Sequence, residues 1–311
     1  MNRNEFFQQA FQRSEGLLNR EEMQLLQNKT VGIVGLGGVG GAYVLGLARM
    51  GIGRLLIADF DHFEIANMNR QAGAFVSTLG QPKAETLRRM ALDINPYMEV
   101  KTYSKGVDRH NVDEFVNQCD VIVDAIDFYC IDAHRLLHVT ARRHKRYSLF
   151  AIPLGYSCTL QVFSPEKMSF EDYYDFQHCA DFFEQVSAFA IGSAPAGTHW
   201  PYMNITGDQL AGGTPPSLSS SVNLCAGHIT ASVLLILTRQ WEEKHSAPCY
   251  FQWDARTMKK AQGTLLWGNR GPLQKFKRWI LARRFGPWRA QINQRSEEKQ
   301  KNFAEYTQAA I

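Results

Sequence analysis

The first 130 positions hold four sets of residues of types that handle phosphate. They are the glycines of Gly35-Leu-Gly-Gly-Val-Gly40, the acids Asp59 and Asp61, the cations Arg70 and Lys83, and the acid Asp127. The glycine turn follows the apolar run Val31–Val34 and opens a helix-forming segment, 41–50. A second run, Arg54–Ala58, ends on Asp59. This is the order of a βαβ unit that binds a nucleotide. Gly35 permits the tight turn, Gly37 with Gly38 lets a phosphate approach the backbone, and Gly40 lets helix and strand pack closely. The first-turn N–H groups of the helix then face an anion.

Asp59 is placed to accept hydrogen bonds from ribose hydroxyls, with Asp61 at the same sheet edge. Asp127 closes a predicted fourth strand, Val121–Asp127, across the switch point from the first. There it can hold Mg²⁺ against phosphates or, alternatively, cap the next helix. A dinucleotide has one pyrophosphate to neutralise and does not call for Arg70 and Lys83 together. A triphosphate does, with Arg70 suited to a bidentate grip.

Other elements must position these groups. Residues 4–28 read as a helical arm broken near Ser14-Glu-Gly16. Lys83–Asn95 reads as a helix with Pro82 at its first position, stopped by Asn95-Pro96. Glu99–Tyr103 is a third strand. Asn111 with Glu114 predicts a capping box for a helix to about Gln118. A helix over 131–144 and a strand over 147–151 complete a βα repetition, which implies a parallel sheet covered on both faces. Thr159–Phe163 is a further strand, expected to be antiparallel. An aromatic-rich, then Gly/Pro/Thr-rich, segment follows. After it come a long buried apolar helix, 219–238, a hairpin of Cys249–Arg256 with Thr264–Trp267, and a basic amphipathic helix, Leu273–Phe285.

The fold class is therefore α/β: a doubly wound, Rossmann-like, mostly parallel sheet with an irregular insertion and a C-terminal hairpin plus basic helix. The expected organisation is an N-terminal helical arm (1–29), a nucleotide-binding core (30–163) and an irregular substrate or crossover segment (164–216). A helix and hairpin completing the core (217–269) and a basic tail (270–311) follow.

Hydrophobic content of 45% with 21% charged residues describes an ordinary globular chain. No transmembrane run or apolar signal core is read, so cytoplasmic residence is expected. The six cysteines include no C-x-x-C pair, and neither zinc nor a disulfide framework is expected. Cys158 and Cys179 lie in or near the irregular segment, where nothing adjacent marks either as an activated nucleophile. The nine histidines are expected to form no H-x-x-x-H or H-E-x-x-H pair, and Asp124 is expected to be structural. Residues 270–311 carry ten Lys/Arg against three Glu, net +7, leaving the body near −3.

The set Gly35–Gly40, Asp59-Phe-Asp61, Asn67-Met-Asn-Arg-Gln71, Gly80–Lys83, Ile94-Asn-Pro96 and Val123–Asp127 resembles the ThiF/MoeB/ubiquitin-activating-enzyme superfamily. The resemblance runs from about residue 10 to 163 and resumes weakly over 216–238. It implies ATP·Mg binding and adenylation of a carboxylate, often the C-terminal glycine of a ubiquitin-like protein. By the same resemblance Asp59 holds ribose, Arg70 and Lys83 the β- and γ-phosphates, and Asp127 the Mg²⁺. Asn67 and Gln71 match polar site positions, and Arg13 matches the arginine that family homodimers insert into the neighbouring subunit's site. The chain departs from the family in having Phe128 where many members have Asn, and in lacking paired C-x-x-C motifs.

The expected activity is thus ATP-dependent adenylyl transfer to a carboxylate, in a homodimer. The alternatives are an NAD- or FAD-binding oxidoreductase and a nucleotide-binding scaffold without turnover. For the basic helix, the apolar positions 273, 276 and 280 are expected to cover the protein's own core. Its cations are left for an anionic membrane or an acidic partner. Nucleic acid is not expected, because the body offers no continuing basic surface.

Overall fold

The computed structural model describes residues 1–295 of the chain; the end of the expected basic tail, 296–311, lies outside them. Five strands form the parallel part of the sheet: β1 (Thr30–Val34), β2 (Arg54–Ala58), β3 (Glu99–Tyr103), β4 (Val121–Asp124) and β5 (Tyr147–Phe150). They lie in the order β3-β2-β1-β4-β5, so the progression of strands across the sheet reverses at the β1/β4 boundary while the strands stay parallel. The sheet continues antiparallel through β7 (Ser157–Phe163), β8 (Cys249–Asp254) and β9 (Lys259–Thr264), with the short β6 (Pro153–Leu154) on β7.

The central strands are buried on both faces, which is why they read as continuous apolar runs. On one face Val31, Ile33 and Val123 pack against the helices that follow β1 and β2: α3 (Gly40–Arg49) and α4 (Lys83–Ile94). The arm helices α1 (Arg3–Ala10) and α2 (Arg20–Leu26) complete that layer. On the other face Leu56 and Ile122 meet α5 (Val112–Asn117) and α6 (Ile131–Arg143). A Cβ at Gly32 would lie 2.8 Å from the Phe115 ring, so this glycine lets α5 seat close to the sheet.

Segment 164–216 holds more regular structure than expected: α7 (Phe170–Tyr174), α8 (Phe182–Ser193) and α9 (Gly207–Gly212). Its aromatics close a core of their own. Phe163 stands 5.3 Å from Phe170, ring centre to ring centre, and Phe170 stands 4.8 Å from Tyr174. Next, α10 (Ser219–Leu237) is long and apolar enough to cross a membrane, yet it packs on α3 and β7 with Val222, Ile229 and Val233 buried. After α11 (Pro272–Phe285) the described residues continue through a short turn, Gly286–Trp288, and a helical stretch over 289–295.

Several expectations are corrected. β4 stops at Asp124, because the Asp124 carboxylate turns back to accept the Ile126 N–H at 3.0 Å, so Asp127 lies in the loop beyond the strand. Pro82 takes the cap position, with Lys83 first in α4. Asn111 does not cap α5; its side chain accepts from Asp108 N–H and donates to Gly106 O. The second hairpin arm is Lys259–Thr264 rather than 264–267. The largest difference is α11. Leu273, Phe276 and Ile280 point outward, while Gln274 and Phe285 are the residues buried. Polar anchors hold the inner face: Lys277 Nζ donates to Pro195 O at 2.6 Å, and Gln274 Nε2 to Ile191 O at 3.4 Å.

Candidate functional site

The glycine turn is fixed by contacts that only glycine permits. Gly35 has φ +89°, and a Cβ there would lie 2.3 Å from Ala125 O; one at Gly40 would lie 2.0 Å from Gly35 O. Gly37 and Gly38 are less crowded: the nearest side-chain atoms over them are Gln71 Nε2, 3.7 Å from the Cβ position of Gly37, and Arg70 Nε, 3.9 Å from that of Gly38. Val39 gives α3 no side-chain cap, so first-turn N–H groups remain for an anion.

Asp59 organises the turn. Its Oδ2 accepts Leu36 N–H at 2.6 Å and its Oδ1 accepts Asp61 N–H at 2.8 Å. Burial raises its carboxyl above the ordinary value, while Lys83 and the two N–H groups pull it partly back. Asp61 itself is exposed and pairs with the buried Lys83, Nζ to Oδ2 at 3.0 Å. The Asp61 carbonyl also accepts Lys83 N–H, so strand end and helix start are tied twice.

Arg70 is half-buried and held by Ala66 O and Asn69 Oδ1 at 3.0 and 2.9 Å. Asn67 caps its own turn, accepting Glu64 N–H at 3.0 Å. Gln71 is buried with its Oε1 unpartnered, beside the glycine turn. One sheet edge therefore gathers Gly35, Gly37, Gly38, Gly40, Asp59, Asp61, Arg70, Gln71 and Lys83. Asp127 lies at the same edge, exposed, its Oδ1 accepting Tyr129 N–H at 2.9 Å.

Arg13 is not brought to this chain's own edge. It sits on an exposed turn after Phe7 and Phe11, which pack against Gly51 at the far end of α3, ~15 Å away by helix length. Cys158 is fully buried on β7. The neighbouring Cys225, then His228, draw its thiol below the usual range against the effect of burial. Cys179 is half-buried beside Arg278 Nη2 at 3.4 Å, and burial raises its thiol.

Behind Asp127 lies a network missed in the sequence. His134 and His138 do form an H-x-x-x-H pair, and it grips Asp124. His134 Nδ1 meets Asp124 Oδ2 at 2.5 Å, His138 Nε2 meets it at 2.9 Å, and His134 Nε2 reaches Asp127 O at 3.2 Å. Burial alone would raise the Asp124 carboxyl, but the two imidazoles outweigh it and hold it below the usual range. The signal was available: two histidines one turn apart after a strand-ending acid. Phe128 also has a role, packing on Phe189 at 5.1 Å and so seating the Asp127 loop on α8.

The order β3-β2-β1-β4, the glycine turn and these acids and cations at one edge agree with the family model of ThiF, described as the ThiF family, which matches residues 11–266. The chain belongs to the ThiF family. Among curated relatives, tRNA threonylcarbamoyladenosine dehydratase of Bacillus subtilis is 38% identical over 125 residues, 40% of this chain and 49% of that protein. "Adenylyltransferase and sulfurtransferase MOCS3" of Dictyostelium discoideum is 36% identical over 102 residues, 33% of this chain and 24% of that protein. The ThiF-family chain thus spans less than half the length of these relatives. Among solved structures, E. coli MccB with ATP superimposes with a TM-score of 0.58 at 18% identity, covering 78% of this chain and 66% of that one. MccB is also described in complex with N-formylated MccA.

Proposed function

We propose that this ThiF-family chain is an ATP-dependent adenylyltransferase that activates a carboxylate, at the end of a peptide or small protein, as an acyl-adenylate. The observation that carries the reading is the gathering of Arg70, beside Gly38, and Lys83, paired with Asp61, at the sheet edge that holds the glycine turn. Two cations suit a triphosphate. The oxidoreductase alternative is not favoured, because relatives named as adenylyltransferases and the ATP-bound neighbour both support the first reading.

In this mechanism the N–H groups after Gly37 hold the α-phosphate and Asp59 orients the ribose. Lys83 exchanges Asp61 for a phosphate oxygen, and Arg70 grips a second. Among the described residues no three His, Cys, Asp or Glu side chains cluster for a metal. Asp127 alone would hold Mg²⁺, which fits an ion bound through one or two carboxylates plus phosphates and supplies charge neutralisation there. The substrate carboxylate oxygen attacks the α-phosphorus as the bond to the β-phosphate oxygen breaks, releasing pyrophosphate. The chain's contribution is position and preorganised charge.

Pyrophosphate exchange into ATP, run with candidate carboxylates including a small protein ending in glycine, tests the reading. Exchange dependent on such a carboxylate is expected; none with any candidate, despite tight ATP binding, would leave only a nucleotide-binding scaffold. We further propose a homodimer in which Arg13 completes the neighbour's site. Mixed Arg13→Ala and Lys83→Ala chains should then recover about a quarter of wild-type exchange, by random pairing under two-fold symmetry. No recovery after confirmed subunit exchange would rule out the crossing arm.

A further inference from the structure

The outward apolar face of α11 has no account in the adenylation chemistry, and it lies beyond the family match, which ends at residue 266. Leu266, Trp267, Leu273, Phe276, Trp279 and Ile280 are each 45 to 68% exposed. Such a concentration of large apolar side chains marks an interaction surface rather than ordinary scatter. The helix is docked inside out: Gln274, Lys277 and Arg278 face the protein, and the rings face away. Phe276 and Trp279 stack at 5.9 Å and 18°, and the Arg283 guanidinium lies over Trp279 at 5.4 Å.

Charge selects the occupant. The helix carries no Asp or Glu, and Lys275, Arg283 and Arg284 are exposed around the ring stripe. Glu184, the carboxylate on its flank, is taken by Arg289 at 3.0 Å. A second copy seated on this face would set cations against cations, which disfavours an isologous pair. An anionic surface with an apolar interior satisfies both features. Tryptophan and phenylalanine enter the headgroup level, and the cations stay at the phosphate level.

We propose that α11, with Leu266 and Trp267, is a peripheral docking face for an anionic lipid bilayer. The proposal is independent of the adenylation reading. The full chain should co-sediment with vesicles of phosphatidylcholine plus phosphatidylserine, less so as salt is raised, and not with phosphatidylcholine alone. Replacing Lys275→Gln and Arg283→Gln together should lower partitioning roughly 25-fold, about fivefold per cation. Phe276→Ser with Trp279→Ser should lower it about tenfold or more. These rings are exposed, so an unchanged melting temperature is expected and the loss is read on a folded chain. Equal sedimentation with both vesicle types, or with neither, would overturn the proposal. Binding to the anionic vesicles lost with the cations but kept without the rings would show adsorption by charge alone, not docking of the apolar face. A doubled solution mass that the ring variant abolishes would assign the face to a second copy. Either of these last two results would also overturn the proposal.

Discussion

The parallel and antiparallel halves of the sheet place their important residues in different ways. In β1 to β5 the chemistry sits where the backbone dictates. The glycine turn follows β1, Asp59 follows β2, Lys83 begins α4, and α3 points its N-terminus at the turn. In β6 to β9 and the helices around them, position is set by side chains packing on side chains, chiefly the aromatic core of Phe163, Phe170, Tyr174 and Phe189. Sites of the first kind are tolerant of what surrounds them, while those of the second kind define a surface and a stability. The two halves should therefore respond oppositely to substitution.

The largest effects expected are in stability. Phe163→Ala, which empties a ring site between Phe170 and Tyr173, should cost about 3–5 kcal/mol. Below its lowered melting point the variant should keep wild-type ATP affinity; a proportionate loss of affinity would mean the halves are not separable. Lys83→Ala is the mirror case. Pyrophosphate exchange should fall by ~10²–10³ with only a small change in melting temperature. A collapse in stability with exchange intact per folded chain would break the comparison.

Asp124→Ala should cross the divide, because it leaves two buried imidazoles without their acceptor and frees the Asp127 loop. A loss of about 3 kcal/mol or more in stability is expected, together with weaker ATP binding. Unchanged ATP binding in the folded variant would show that the network is only scaffolding.

The smallest effect concerns pH. Burial lowers His199 to about 4, against the pull of Asp254, and burial lowers His138 as well. Each folded value lies below the unfolded one, so the unfolded state binds more protons and stability falls as pH drops below about 6.5. The slope per group is at most about 1.4 kcal/mol per pH unit. Denaturant midpoints from pH 7 to 5 should fall, and His199→Gln should flatten the fall. Equal slopes in both proteins would remove His199 as a source.

What could be read in the sequence follows the same division. Gly35, Gly37, Gly40, Asp59 and Lys83 were legible because strand, turn and helix start fix their places without knowledge of packing. The end of β4 was misread because Ala125-Ile126 continues an apolar run although Asp124 already turns the chain. His134 and His138 were overlooked as a pair, though their helical spacing and a preceding acid were visible. The orientation of α11 was not legible. Periodicity shows that a helix has two faces, but which face docks depends on partners such as Pro195 O and Ile191 O, far away in sequence. Hydrophobic residues inside is a one-way rule.

The central claim is that Arg70, Lys83 and Asp127 make this edge a triphosphate site. Calorimetric titration of the full chain with ATP·Mg²⁺ and with NAD, repeated on Lys83→Ala, tests it most directly. Saturable ATP binding that weakens in Lys83→Ala, with no heat from NAD, is the expected result. Binding of NAD without ATP, or ATP binding indifferent to Lys83, would contradict it.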